Sequence, residues 1–188
     1  MHDSLESGPQ NNGTESASIT RIVNALEAFA HAETLDETLR VLEKQQATLL
    51  LPDTLATIQL MIDDMFANKQ SGDAKNWRQY LHLLENVRQC GIDTAWHYFI
   101  TQQSNAVQAI EALTTATSAE ELYQTIMTYQ DALLSDAAFV ILENTIQRQR
   151  IFAPRAAIEY WQQLLDFLDD AQTHSIAAAW AIFESQEL

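Results

Sequence analysis

The stretches "GIDTAWHYFI" (Gly91–Ile100) and "SIAAAWAIFE" (Ser175–Glu184) repeat an Ile, an Ala, a Trp and a Phe at the same intervals. Ile92, Ala95, Trp96 and Phe99 stand at i, i+3, i+4 and i+7, one face of a helix. Ile176, Ala179, Trp180 and Phe183 reproduce that face. A pair of aromatic ligand boxes would give such a recurrence, and so would a repeated building block. A small Ala beside a large Trp is the pattern close helix packing needs, so the stripe reads as core.

The recurrence extends outward at one offset. Trp77 and Trp161, Trp96 and Trp180, and Phe99 and Phe183 are each 84 positions apart. The same shift aligns Ala25–Ala28 with Ala109–Ala112, Thr34 and Glu37 with Ser118 and Glu121, Leu49-Leu50 with Leu133-Leu134, and Ile62 with Ile146. About a fifth of positions 23–99 are identical to their counterparts without a gap, which predicts a tandem duplication of a four-helix unit.

Composition agrees with helices. Only 4 glycines and 3 prolines occur in 188 residues, too few for the tight turns of a sandwich or a doubly wound sheet. Thr34 with Glu37 and Ser118 with Glu121 form candidate capping boxes, Ser135 is a candidate N-cap, and Pro52 and Pro154 suit first helical turns. Gly91 suits a helix C′ position, and no breaker follows it until Thr114–Ser118, which predicts a long helix over 92–116. Expected stripes include Ile22, Val23, Leu26 and Phe29, then Leu35, Leu39 and Leu42, with "KQSGD" (69–73) as a break. Residues 1–16 hold almost no large apolar side chain and read as a disordered tail. The expected architecture is an all-α domain over 17–188 with about nine helices. It is a short right-handed TPR-like α-solenoid of antiparallel hairpins, with repeat one at 18–101 and repeat two at 102–188.

The segment from "AFAHAETLDETLRVLEKQQATLL" through Gly72-Asp73 and Leu81/Leu84 to Gly91-Ile92, Ala95 and Phe99 resembles a tetratricopeptide-like helical repeat of large bacterial proteins. In those proteins, such repeats stand beside caspase-like (CHAT) or nucleotide-binding signalling domains. The resemblance covers residues 25–100 and implies a helical scaffold without catalytic residues of its own. The second copy departs from it, with Ala156-Ala157 for Gly72-Asp73 and Ser175 for Gly91.

Charge narrows the partners. With 26 acidic and 10 basic residues the net charge is −16, which repels nucleic-acid backbones and anionic membranes. The lone Cys90 excludes an internal disulfide, and "MHDSLESGPQ" lacks the features of a signal peptide; both readings point to the cytoplasm. His2, His31, His82, His97 and His174 show no metal spacing, and His82 and His97 read as partly exposed. Asp166, Asp169 and Asp170, like Asp63-Asp64, read as solvated acidic faces, since no E-x-x-H pair accompanies them. Cys90 near a helix C-terminus reads as unreactive. No metal, cofactor or catalytic residue is therefore expected, and the protein does not read as an enzyme.

One basic feature interrupts the acidic background. Arg148, Arg150 and Arg155 in "QRQRIFAPR" are candidates for binding an acidic partner segment or an anion, although arginines near a helix C-terminus need no other purpose. The functional expectation is a non-catalytic scaffold or adaptor that binds a protein or peptide partner. The alternative is an acidic regulatory or structural subunit that caps a basic protein. The sequence leaves oligomeric state open.

Overall fold

Helix boundaries fall where capping chemistry starts or stops the chain. In a computed structural model, residues 12–186 are described, with side chains over 16–185. They form α1 (Asn12–Ala30), α2 (Leu35–Leu49), α3 (Pro52–Ala67), α4 (Ser71–Cys90), α5 (Ile92–Thr115), α6 (Ala119–Thr128), α7 (Gln130–Leu133), α8 (Asp136–Gln149), α9 (Arg155–Thr173) and α10 (Ile176–Gln186). No strand occurs among the described residues, so the all-α reading holds. Helix α1 starts at Asn12, inside the stretch read as a tail; residues 1–11 of that stretch lie outside the described residues.

The capping box at Thr34 is complete. Its hydroxyl accepts from the Glu37 amide, and the Glu37 carboxylate accepts from the Thr34 amide at 3.2 Å. At the second site Ser118 accepts from the Glu121 amide at 3.2 Å, but the Glu121 carboxylate takes the Thr117 amide and hydroxyl instead. Ser135 caps α8 through the Ala138 amide.

Ten helices replace the nine expected. The extra one arises because the segment following Ser118 breaks at Tyr129, leaving the single turn α7. The break between α3 and α4, at residues 68–70, overlaps the "KQSGD" break expected at 69–73. Lys69, not a glycine, takes the left-handed conformation at φ 60°, and the Gln70 amide reaches back to the Met65 carbonyl. Gly72 lies within α4. Gly91 has the expected positive φ (83°), but its ψ of 166° carries the backbone into an extended region open only to glycine.

Two compact units divide the chain, one up to Thr57 and one from Ile58 onward. The division falls inside α3, whereas the sequence places a repeat junction at 101/102. In the first unit α1 packs on α2. Its buried face uses Ile22, Ala25, Leu26 and Phe29 from α1, and Thr38, Leu42 and Leu49 from α2. Val23 and Leu35, expected on these stripes, are exposed, because Ala25 and Thr38 take the inward positions. Thr54, fully buried, donates its hydroxyl to the Thr48 carbonyl at 2.7 Å and secures the α2–α3 turn.

In the second unit α8 is central, packing on α4, α5, α7 and α9, while α10 closes against α9. The core gathers Ala106, Ala109 and Leu113 of α5, Ile126 of α6, Leu133 of α7, Phe139 and Leu142 of α8, and Leu164 and Leu168 of α9. Small alanines let α5 approach closely. Trp180, half-buried, meets Tyr123 of α6 at 5.0 Å, Phe167 of α9 at 5.9 Å and Phe183 at 5.5 Å between ring centroids, so three helices share one aromatic cluster.

Candidate functional site

The second unit contains a groove of about 960 Å³. Helix α4 supplies one wall, α5 another, and the α7–α8 turn with Gln172 of α9 closes an end. The reason lies in the stripes. Leu81, Leu84 and Val87 turn into the core, which leaves Gln79, His82, Glu85, Asn86 and Gln89 along the opposite face of α4. On α5, Ala95 and Phe99 are buried, so Thr94, Tyr98 and Gln102 point into the groove.

A polar clamp forms its floor. Arg78 grips Asp136 through both carboxylate oxygens, Nε lying 2.6 Å from Oδ2. That hydrogen bond raises the guanidinium pKa above its usual value, outweighing the opposing effect of burial. Asp136 also sits in the first turn of α8, where its negative charge suits the helix dipole. Gln172 donates to the Leu134 carbonyl at 2.6 Å, fixing the closed end.

Beside this clamp, Lys75 of α4 is almost wholly buried, its ammonium 2.5 Å from Asp169 of α9 and 3.2 Å from the centroid of the Phe139 ring of α8. Burial lowers its pKa, only partly offset by Asp169. Asp169, read from sequence as part of a solvated face, therefore ties α9 to α4. Its neighbours Asp166 and Asp170 remain exposed.

The walls present amides, a phenol, an imidazole and a thiol. Tyr98, 54 % exposed, accepts a hydrogen bond from Gln102 at 3.0 Å, and both side chains line the groove. Cys90 is exposed and donates to the Asn86 carbonyl at 3.1 Å, at the end of α4. His82 and His97 are both exposed. Among the described residues, no group of three His, Cys, Asp or Glu side chains converges as metal ligands would. Donors and acceptors spaced along two helices, the Glu85 carboxylate among them, can bind the main chain of an extended peptide.

Arg148, Arg150 and Arg155 lie outside this groove. Arg148 is in the last turn of α8, Arg150 is its C-cap, and Arg155 opens α9; all three are exposed. Arg155 pairs with Glu159 one turn on at 2.7 Å, whereas Arg148 and Arg150 make no ion pair among the described residues. Between them Ile151 and Phe152 stand out in solvent.

Sequence reasoning missed the groove because its residues come from four separate helices. The signal within reach was the run of amides and polar residues opposite each apolar stripe. Among the described residues no helix is long and apolar enough to cross a membrane. No family model matches the chain, and neither does any curated protein or solved structure.

Proposed function

We propose that the protein is a non-catalytic helical-repeat adaptor that holds a protein segment in the α4–α5 groove. The observation that carries this reading is the groove itself, 960 Å³ in volume and walled by hydrogen-bonding side chains with Tyr98 projecting into it.

The scaffold underneath is a duplicated unit, a reading supported by matched boundaries and matched burial. Helices start at 35 and 119, 71 and 155, and 92 and 176, each pair at the offset of 84. Leu42 and Ile126, Leu49 and Leu133, and Ile58 and Leu142 are fully buried in pairs. Trp96 stacks on Phe99 with centroids 5.5 Å apart at 28°, and Trp180 stacks on Phe183 with the same two values. The hairpins that such a repeat generates suit a TPR-like array, whose exposed inner surfaces bind peptides.

The test is selection of displayed random peptides on the full chain, followed by titration of the selected peptides against Y98A and Q102A variants. Each variant should weaken binding by about tenfold, and binding should persist at about 0.5 M salt, where exposed ion pairs are screened. Peptides that bind both variants like the parent protein would remove the groove from the reading. Loss of binding in salt alone would favour an acidic subunit capping a basic partner.

A further inference from the structure

Helix α9 carries its charges against its own dipole. Arg155 is its first residue, no acid lies in its first turn and no base in its last, while Asp166, Asp169 and Asp170 crowd its C-terminal third. By contrast α2, α3, α4, α5, α6 and α8 each carry an acidic residue in the first turn.

On α9, Arg155, Glu159, Gln163, Asp166 and Asp170 occupy i, i+4, i+8, i+11 and i+15, one continuous exposed stripe. Arg155 at its start is already paired with Glu159, and the stripe closes on two acids that make no ion pair among the described residues. The complement of those acids is the basic segment just before the helix, where Arg148 and Arg150 also make no ion pair among the described residues.

An exposed apolar loop stands at one end of α9 and an acid-lined hollow at the other. Just before the helix, Ile151 is 78 % and Phe152 88 % exposed. Toward its far end a depression of about 110 Å³ is lined by Gln163, Asp166 and Asp170 together with the half-exposed Ile182 and the edges of the buried Phe167 and Phe183, a mixed polar and apolar surface. A hollow that small takes a single side chain. Phe152 cannot enter the depression of its own chain: about 18 Å of helix separates Arg155 from Phe167, and the three residues from Phe152 to Arg155 span at most about 10 Å.

We propose that the chain forms a two-fold dimer through antiparallel α9 helices. Phe152 of each copy sits in the Phe167–Ile182–Phe183 depression of the other, and Arg148, Arg150 and Arg155 face the other copy's Asp166 and Asp170. Such a contact is self-complementary and closes on itself. The net charge of −16 opposes approach elsewhere, and three of the ten basic side chains lie within residues 148–155.

Sedimentation equilibrium of the full chain across the micromolar range tests this. The parent protein should dimerise, and F152S, R148E/R150E/R155E and D166R/D170R should each weaken the dimer at least about tenfold. Mixing the two charge-reversed variants should restore a heterodimer, because the reversed loop then meets the reversed pocket. That rescue separates a docking surface from a folding defect. A parent protein that stays monomeric, a dimer indifferent to F152S and both reversals, or a mixture that remains monomeric would overturn the proposal.

Discussion

Lys75 and Asp169, 94 positions apart in sequence, meet at 2.5 Å with the ammonium held over the Phe139 ring. One side chain of α4 thereby contacts both α8 and α9. The two partners are unequal: the lysine is buried, and the aspartate side chain is 58 % exposed.

This inequality predicts an order of damage. D169A strands a buried cation and should cost about 1–3 kcal/mol in urea unfolding. K75M keeps the stem packed on Phe139, frees Asp169 to face water, and should cost less, near neutral. Equal losses would mean that the pair acts only through its charges. The pH dependence has a definite sign. Because the folded pKa lies below 10.5, the folded state releases its proton first, and stability rises with pH from that lowered value up to 10.5. K75M should abolish that component of the rise.

Three backbone positions predict three signs. Gly91 has open space around a Cβ but a conformation closed to other residues, so G91A should cost about 1–3 kcal/mol. At Gly72 a methyl would overlap the Glu143 carboxylate, the mobile end of a flexible side chain. G72A should therefore stay within about 1 kcal/mol of the parent, the helix-propensity gain offsetting the displacement. K69G should stabilise by up to about 1 kcal/mol, since glycine suits the left-handed turn that lysine now occupies. Thermal melts of the three variants check the ordering.

The two stacked tryptophans should differ in weight. Trp180 reaches aromatic rings on two other helices, whereas Trp96 stacks on Phe99 of its own helix. W180A should cost about 3 kcal/mol or more, and W96A at least about 1 kcal/mol less. The reverse order by chemical denaturation would place the structural weight at the wrong copy.

Acid should loosen the start of α6. The Thr117 amide, and then its hydroxyl, hold the Glu121 pKa below 4.5. Its contribution is complete above 4.5 and is lost as pH falls through the depressed folded value. E121Q should flatten that part of the acid limb, and a titration of the Glu121 carboxyl by NMR should place its midpoint under 4.5.

Local chemistry made much of this fold legible. Thr34, Pro52, Gly91 and Ser135 mark their helix boundaries because a cap depends on neighbours within four residues. The break at Tyr129 had no such mark, since neither Gly nor Pro interrupts "MTYQDALL". The segment "KQSGD" was legible as a break, but not that Lys69 rather than its glycine would take the left-handed turn, because a lysine ordinarily avoids positive φ. Burial of Lys75 could not be seen either: its partners Asp169 and Phe139 come from distant helices, and a lysine ordinarily signals solvent. The arginines at 148, 150 and 155 were visible as an anomaly, but nothing in the sequence set the exposed Phe152 among them apart from the phenylalanines of the core.

Cys90 is the sole thiol of the chain, and it stands exposed on the groove wall beside Gly91. A maleimide fluorophore would therefore attach at one defined point without any mutagenesis. Such a label would report occupancy of the α4–α5 cleft directly, while a dimer formed through α9 would be followed by mass alone, so the two events can be watched independently in one sample.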